Sequence, residues 1–288
     1  MTLPRPSMHG SILKPGYSFE DVLSLSQRFG FPGVDASFAE VRARTEQTSA
    51  AAVRDFFAEF ETSPAYMGFI PAGLFSPEVE FMQALDQFSE NCALAASVGC
   101  QRTGSYFPNR MSLPPDEARR ILRDRVAILA ERAEPHGIAI GLEFIGLRTF
   151  RLEEPHAFLN NVPDTIAMLR ETGRPNVGLI LDSFHYFTSG GDLSQIRSLR
   201  AEDIVHLHVN DAPHADVMTL EDTDRVLPGK GVIDLTGWFQ AIAEIGFDGY
   251  VAIEIFDDEF RNQDWDVAVG TAKKALDDVL AQAEHSGD

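Results

Sequence analysis

The stretch NVGLILDSFH, residues 176–185, changes character within a few positions of its end. Val177, Leu179 and Leu181 alternate with Gly178, Ile180 and Asp182. Read as a strand, one face is aliphatic and the other runs from a glycine to a carboxylate. Such a strand is buried along its length and chemically active at its tip. Taken alone, Asp182 has a second reading as the cap of a following helix. The choice depends on whether other strands end the same way.

Outward from this stretch, strand and helix patterns alternate. Toward the C-terminus they predict a short helix at 193–199, a strand at 204–210, a helix at 235–245, a strand at 250–256 and a helix at 264–283. Toward the N-terminus they predict helices at 154–172, 114–135, 77–98, 49–61 and 18–29. Between these lie strands at 137–144, 100–107, 64–70, 33–37 and 7–13. Ser18 and Asp21 form a capping-box pattern, and Gly30 sits where a C-cap belongs. Eight strands alternating with helices predict the α/β class and a single (β/α)8 TIM barrel rather than an open doubly wound sheet. Residues 1–283 contain no Pro/Gly/Ser-rich linker and read as one domain, with 284–288 a frayed tail.

Composition narrows the function. A formal net charge of -20 over 288 residues repels phosphate backbones and anionic lipid headgroups, so neither nucleic acid nor membrane is an expected partner. Two cysteines, Cys92 and Cys100, give no disulfide framework and read as small buried hydrophobes. The N-terminus does not look like a signal peptide, and no apolar run is long enough to span a bilayer. The expected location is the cytoplasm. The sequence leaves a homo-oligomer open.

Three more strands end as residues 176–182 do. In 137–143, Ile138, Ile140 and Leu142 face one side, and Ala139, Gly141 and Glu143 the other. In 204–210, Val205, Leu207 and Val209 are expected to face the helices, leaving His206, His208 and Asn210 toward the barrel axis. In 250–256, Ala252 and Glu254 face inward. Glu143, Asp182, His208 and Glu254 therefore converge on the C-terminal rim, where barrel enzymes keep their active sites. Three carboxylates and an imidazole suit one divalent ion such as Mn2+, Mg2+, Co2+ or Zn2+. The alternative is four unrelated caps and core polar groups. His206, one inward position deeper, reads as a hydrogen-bonded core histidine. His185 either reaches a substrate oxygen or stabilises its loop, and His9 is a candidate for the barrel mouth. Tyr106, Phe107 and Trp238 are candidate wall aromatics, with core packing the alternative for Trp238.

The runs LEFIG (142–146), NVGLILDSFH (176–185), HVND (208–211) and DRVLPGKGVIDL (224–235) resemble the xylose-isomerase-like sugar isomerase and epimerase superfamily, and within it the inosose isomerases. The resemblance is specific over 137–283 and architectural before that. It implies Glu143, Asp182, His208 and Glu254 as metal ligands and His185 and Arg225 as substrate contacts. Arg225 also reads as a loop-ordering partner of Asp222 or Asp224, and Lys230 either as a substrate contact or as a solvated lysine. The superfamily's ketose 3-epimerases carry a further glutamate six residues beyond the first metal glutamate. Here that position is Thr149, which weighs against a free-ketose epimerase.

The reaction expected is isomerisation or epimerisation of a keto-polyol or ketose of inosose type, a step in carbohydrate metabolism such as inositol catabolism. A proton leaves the carbon beside a ketone, and a chelated metal stabilises the ene-diolate. Glu143 and Glu254, on strands either side of the Asp182 and His208 strands, are the expected general acid and base. The competing outcome is dehydration, as in an inosose or 3-dehydroshikimate dehydratase. More distant alternatives are an abasic-site endonuclease, which the acidic charge opposes, and a non-catalytic sugar-binding barrel.

Overall fold

The computed structural model describes residues 2–68, 70 and 73–285. Met1, Phe69 at the end of the expected third strand, Pro71, Ala72 and residues 286–288 of the expected tail lie outside the described residues. Eight strands form one parallel sheet: β1 (Arg5–Met8), β2 (Gly33–Ser37), β3 (Ser63–Gly68), β4 (Arg102–Phe107), β5 (Ala139–Phe144), β6 (Val177–Asp182), β7 (Ile204–Val209) and β8 (Tyr250–Ile253). Their spatial order, β3-β2-β1-β8-β7-β6-β5-β4, is that of a nearly closed (β/α)8 barrel. The seam lies between β3 and β4. There the Thr103 hydroxyl donates to the Met67 carbonyl (2.7 Å) and the Ile70 N–H to the Gly104 carbonyl (3.2 Å).

The connecting helices are α1 (Phe19–Phe29), α2 (Phe38–Gln47), α3 (Ala50–Glu59), α4 (Glu78–Val98), α5 (Pro115–Ala133), α6 (Val162–Glu171), α7 (Ser183–Thr188), α8 (Leu193–Arg197), α9 (Leu235–Glu244), α10 (Asp258–Arg261) and α11 (Trp265–His285). The capping box of α1 forms as its sequence predicts. The Asp21 N–H donates to Ser18 Oγ, the Ser18 N–H donates to Asp21 Oδ2, and Gly30 closes the helix at φ 72°. A cap of this kind contributes about 1 kcal/mol.

Several expectations need correction. The stretch 154–161 is not helical: Asn161 caps α6, Pro163 occupies its first turn, and His156–Ala157 pairs antiparallel with Arg110–Met111. Helix α2 escapes the periodicity search because Val41 is its one buried residue, whereas the Ser37 side chain caps it. The first strand ends at Met8 and a 3-10 turn follows, Gly10–Ile12. Glu284 and His285 belong to α11 rather than to a tail.

Val205 also departs from expectation. The register between β6 and β7 shifts after Leu179, so that Ile204 and His206 pair with consecutive residues and Val205 is the extra residue of a bulge. Its side chain packs inside the barrel, against the space above Gly141 and Gly178. A Cβ on Gly141 would stand 2.6 Å from Ile180 Cγ1. Glycine there lets Ile180 cross the axis and floor the pocket above it. Phe107 and Trp238 are fully buried in the core and do not wall the pocket. Both cysteine thiols are buried, and burial pushes them up to about 12, which leaves them inert.

Candidate active site

Four consecutive strands carry the candidate ligands to one rim. Glu143 is the penultimate residue of β5, Asp182 the last of β6 and His208 the penultimate of β7. Glu254 follows β8 directly, its N–H donating to the Val209 carbonyl (3.2 Å). One ligand atom from each lies within 4.8 Å of all the others. The cluster opens into a pocket of about 530 Å³, which His185 and Arg225 also line.

Asp182 caps a helix and also faces the cluster. Its Oδ1 accepts the N–H groups of Phe184 (2.8 Å) and His185 (2.9 Å) and caps α7. Its Oδ2 faces the cluster, where it accepts from Asn210 Nδ2 (3.0 Å) and Arg225 Nη1 (2.9 Å). The same Nη1 donates to Glu254 Oε2 (2.8 Å), and Nη2 donates to Asp222 Oδ1 (2.6 Å) and to His185 Nε2 (3.1 Å). Arg225 is thus a buried cation shared among three carboxylates, which holds its guanidinium well above the ordinary arginine range. His185 directs Nε2 to this arginine, while its Nδ1 is buried with no hydrogen-bond partner.

His208 Nδ1 donates to Glu143 Oε1 (3.1 Å) and lies 3.6 Å from Glu254 Oε2. Burial alone would lower the imidazole, but Glu254 and Glu143 hold it up to about 10. The two glutamates are driven apart. Burial pushes Glu143 above the usual carboxylate range, whereas for Glu254 the positive charges of His208 and Arg225 overcome burial and bring it to about 2. The two carboxylates of one pocket are thus shifted in opposite directions, Glu143 up and Glu254 down.

The donor set fits a divalent cation. Two ligands about 2.1 Å from one ion and at right angles are separated by about 3 Å, close to the His208–Glu143 spacing. The oxygens of buried Glu143 and Asp182 and half-buried Glu254, with the His208 imidazole, are the hard and borderline donors such an ion takes.

Residues beyond this rim complete the site. His206 Nε2 pairs with Asp35 Oδ2 (2.8 Å), and its ring stacks on Tyr66 with centroids 4.8 Å apart, as suits a core histidine. Asp35 was not anticipated, nor were Tyr66 and Asn210 as supports of the site. A lone carboxylate in the apolar Gly33–Ser37 strand is the signal that points to Asp35. His9 and Tyr106 line the pocket. Lys230 is exposed and lies outside the pocket lining, and the Thr149 hydroxyl donates to the Leu220 carbonyl (2.7 Å).

The sequence model of the xylose isomerase-like TIM barrel family matches residues 12–278. The chain belongs to this family. Among the relatives in this xylose isomerase-like group, it is similar to the inosose isomerase of Bacillus subtilis (strain 168), 33% identical over 167 residues, 58% of each chain. It is also similar to the 3-dehydroshikimate dehydratase of Pseudomonas putida, 31% identical over 144 residues, 49% of this chain and 21% of that one. The chain thus spans under two thirds of the length of these curated relatives. Its fold superposes on the crystal structure of the IOLI protein with a bound zinc atom at a TM-score of 0.84 and 23% identity, over 97% of this chain and 99% of the other. The relatives just named are enzymes. No helix among the described residues is long and apolar enough to cross a membrane.

Proposed function

We propose that the protein is a divalent-metal-dependent isomerase of an uncharged keto-polyol of inosose type, moving a ketone to the neighbouring carbon. The observation that carries this reading is the convergence of Glu143, Asp182, His208 and Glu254 on one point of the rim. These four residues would hold the ion, with zinc and manganese the first candidates. When bound, it supplies positive charge next to the oxygens of a vicinal hydroxy-ketone.

The remaining chemistry belongs to the chain's own residues. Glu254, ionised, takes the proton from the hydroxyl-bearing carbon beside the ketone, and Glu143 supplies a proton to the former carbonyl carbon while the hydroxyl proton passes to the former carbonyl oxygen; the proton left on Glu254 replaces the one Glu143 gave up before the next turnover. Arg225 fixes Glu254 and Asp182 in orientation, and Asn210 secures Asp182 from the opposite side.

Among the described residues lining the pocket, Arg225 is the one lysine or arginine, and its guanidinium is already committed to Asp182, Glu254 and Asp222. None of the residues outside the description carries a cationic side chain. A carboxylated substrate, such as 3-dehydroshikimate, therefore finds no uncommitted lysine or arginine among the described lining residues, and this favours isomerisation of a neutral polyol over that dehydration. The test is a panel of inososes, ketohexoses, ketopentoses and 3-dehydroshikimate with Mn2+ or Zn2+ in deuterated water, read by NMR and mass. Isomerisation adds deuterium without loss of water. A product lighter by one water establishes the dehydratase instead, and no turnover with any metal points to a binding protein.

A further inference from the structure

β1 contributes a side chain that the four-residue cluster does not use. His9 follows β1 directly and lines the pocket, its ring centroid 5.6 Å from that of His208. It offers a ring nitrogen within 4.8 Å of ligand atoms on Asp35 and His208, a spacing that by itself would suit a second metal ion. The hydrogen bonds argue against that use. His9 Nδ1 accepts the backbone N–H of Ser11 at 3.2 Å. A neutral imidazole whose Nδ1 accepts carries its proton on Nε2, and a protonated nitrogen has no lone pair for a metal. Asp35 is equally engaged: Oδ1 accepts from Ser7 Oγ (2.6 Å) and Oδ2 is paired with His206.

The turn that sets this tautomer is tied to the segment carrying Glu254. Ser11 Oγ donates to the Ile253 carbonyl (3.4 Å) and accepts from the Ile255 N–H (3.3 Å), clasping the residues on either side of Glu254. β1 and β8 are also neighbours in the sheet, with Ser7 opposite Ala252. His9 and Glu254 are therefore held in one backbone unit.

We propose that His9 is a neutral hydrogen-bond donor that grips, through its Nε2–H, the substrate oxygen lying beside Glu254, and is neither a ligand of a second metal nor a base. This rests on the keto-polyol reading above. As Glu254 removes the adjacent proton, negative charge builds on that oxygen, and a donor held in the pocket by the Ser11 turn stabilises the charge. The imidazole keeps its proton throughout, so no net transfer passes through it.

The direct test is NMR of 15N-labelled protein loaded with Zn2+, with the His9 signals assigned by their loss in His9→Gln. The expected pattern at neutral pH is a protonated Nε2 and a bare Nδ1, unchanged as zinc rises beyond one equivalent. A protonated Nδ1, a cationic ring, or loss of the Nε2 proton with the second equivalent overturns the proposal. This measurement needs no substrate, so its failure is separate from failure of the isomerase reading. The kinetic arm compares His9→Gln, whose amide N–H takes the place of Nε2–H, with His9→Phe. The glutamine variant is expected to keep kcat within about tenfold, while the phenylalanine variant loses on the order of 10²-fold at an unchanged melting temperature. Equal kcat values in the two variants, high or low, would refute the donor role.

Discussion

The two halves of the barrel are alike in architecture and unlike in chemistry. β5 to β8 each deliver one charged or imidazole side chain to the same point on the rim. β1 to β4 instead surround that point, through His9, Tyr66 and Tyr106 as lining and Asp35 as a buried anchor for His206. The lesson is a division of labour: the second half holds the groups that would bind the metal and move the proton, and the first half shapes what reaches them and, through His9, steadies the charge that forms. Substitutions in the two halves should therefore fail in different ways.

The sharpest contrast comes from Glu254→Gln, which should lower kcat on the order of 10³-fold and stop solvent-deuterium incorporation with the fold intact by circular dichroism. Retained exchange would remove Glu254 from proton transfer and blur the division. Next in size is Arg225→Ala, which strips the cation from three carboxylates. It should cost about 3–5 kcal/mol in a denaturant titration of the metal-free protein, and a loss under about 1 kcal/mol would show that the ion pairs are dispensable.

Proton linkage gives a third measure. The folded-state value of His208, about 10, lies above its ordinary 6.5. In the metal-free protein its stabilising contribution is therefore complete below about pH 6.5 and is lost as pH rises through about 10. A metal needs this imidazole unprotonated, so uptake at pH 7 should release about one proton per ion from His208, and more where Glu143 is also protonated. Calorimetry in buffers of different ionisation enthalpy counts these protons, and a count of zero would place the metal elsewhere. The smallest effect is expected in the first half: Tyr106→Ala should shift KM by about tenfold and leave metal stoichiometry unchanged. A loss of bound metal in that variant would contradict the division between halves.

The same division explains what was legible in the sequence. Glu143, Asp182, His208 and Glu254 stand out because each ends a run of strict alternation, and alternation is a local signal. Asp35 shows no such signal, since β2 is five residues long and its partner His206 lies 171 positions away. His9 stands just past a four-residue strand, where one residue of error in the strand boundary changes the face it is assigned. Val205 was misplaced because a bulge follows from pairing with a neighbouring strand, which alternation within one strand does not encode. Helix α2, polar on nearly every side, has no stripe to detect.

The seam between β3 and β4 gives the barrel a direction of weakness. Each of the other barrel strands is laddered to a neighbour on both sides, whereas β3 and β4 each have one ladder partner. Thermal opening that parts them sacrifices the fewest main-chain bonds, so the cylinder should unzip there before it melts elsewhere. In hydrogen–deuterium exchange, the amide of Ile70 should trade its proton well ahead of those in β7 and β8. β7 and β8, which bring His208 and Glu254 to the rim, lie across the cylinder from that line, whereas β5 is laddered to β4, so Glu143 should be the member of the cluster that feels the opening first.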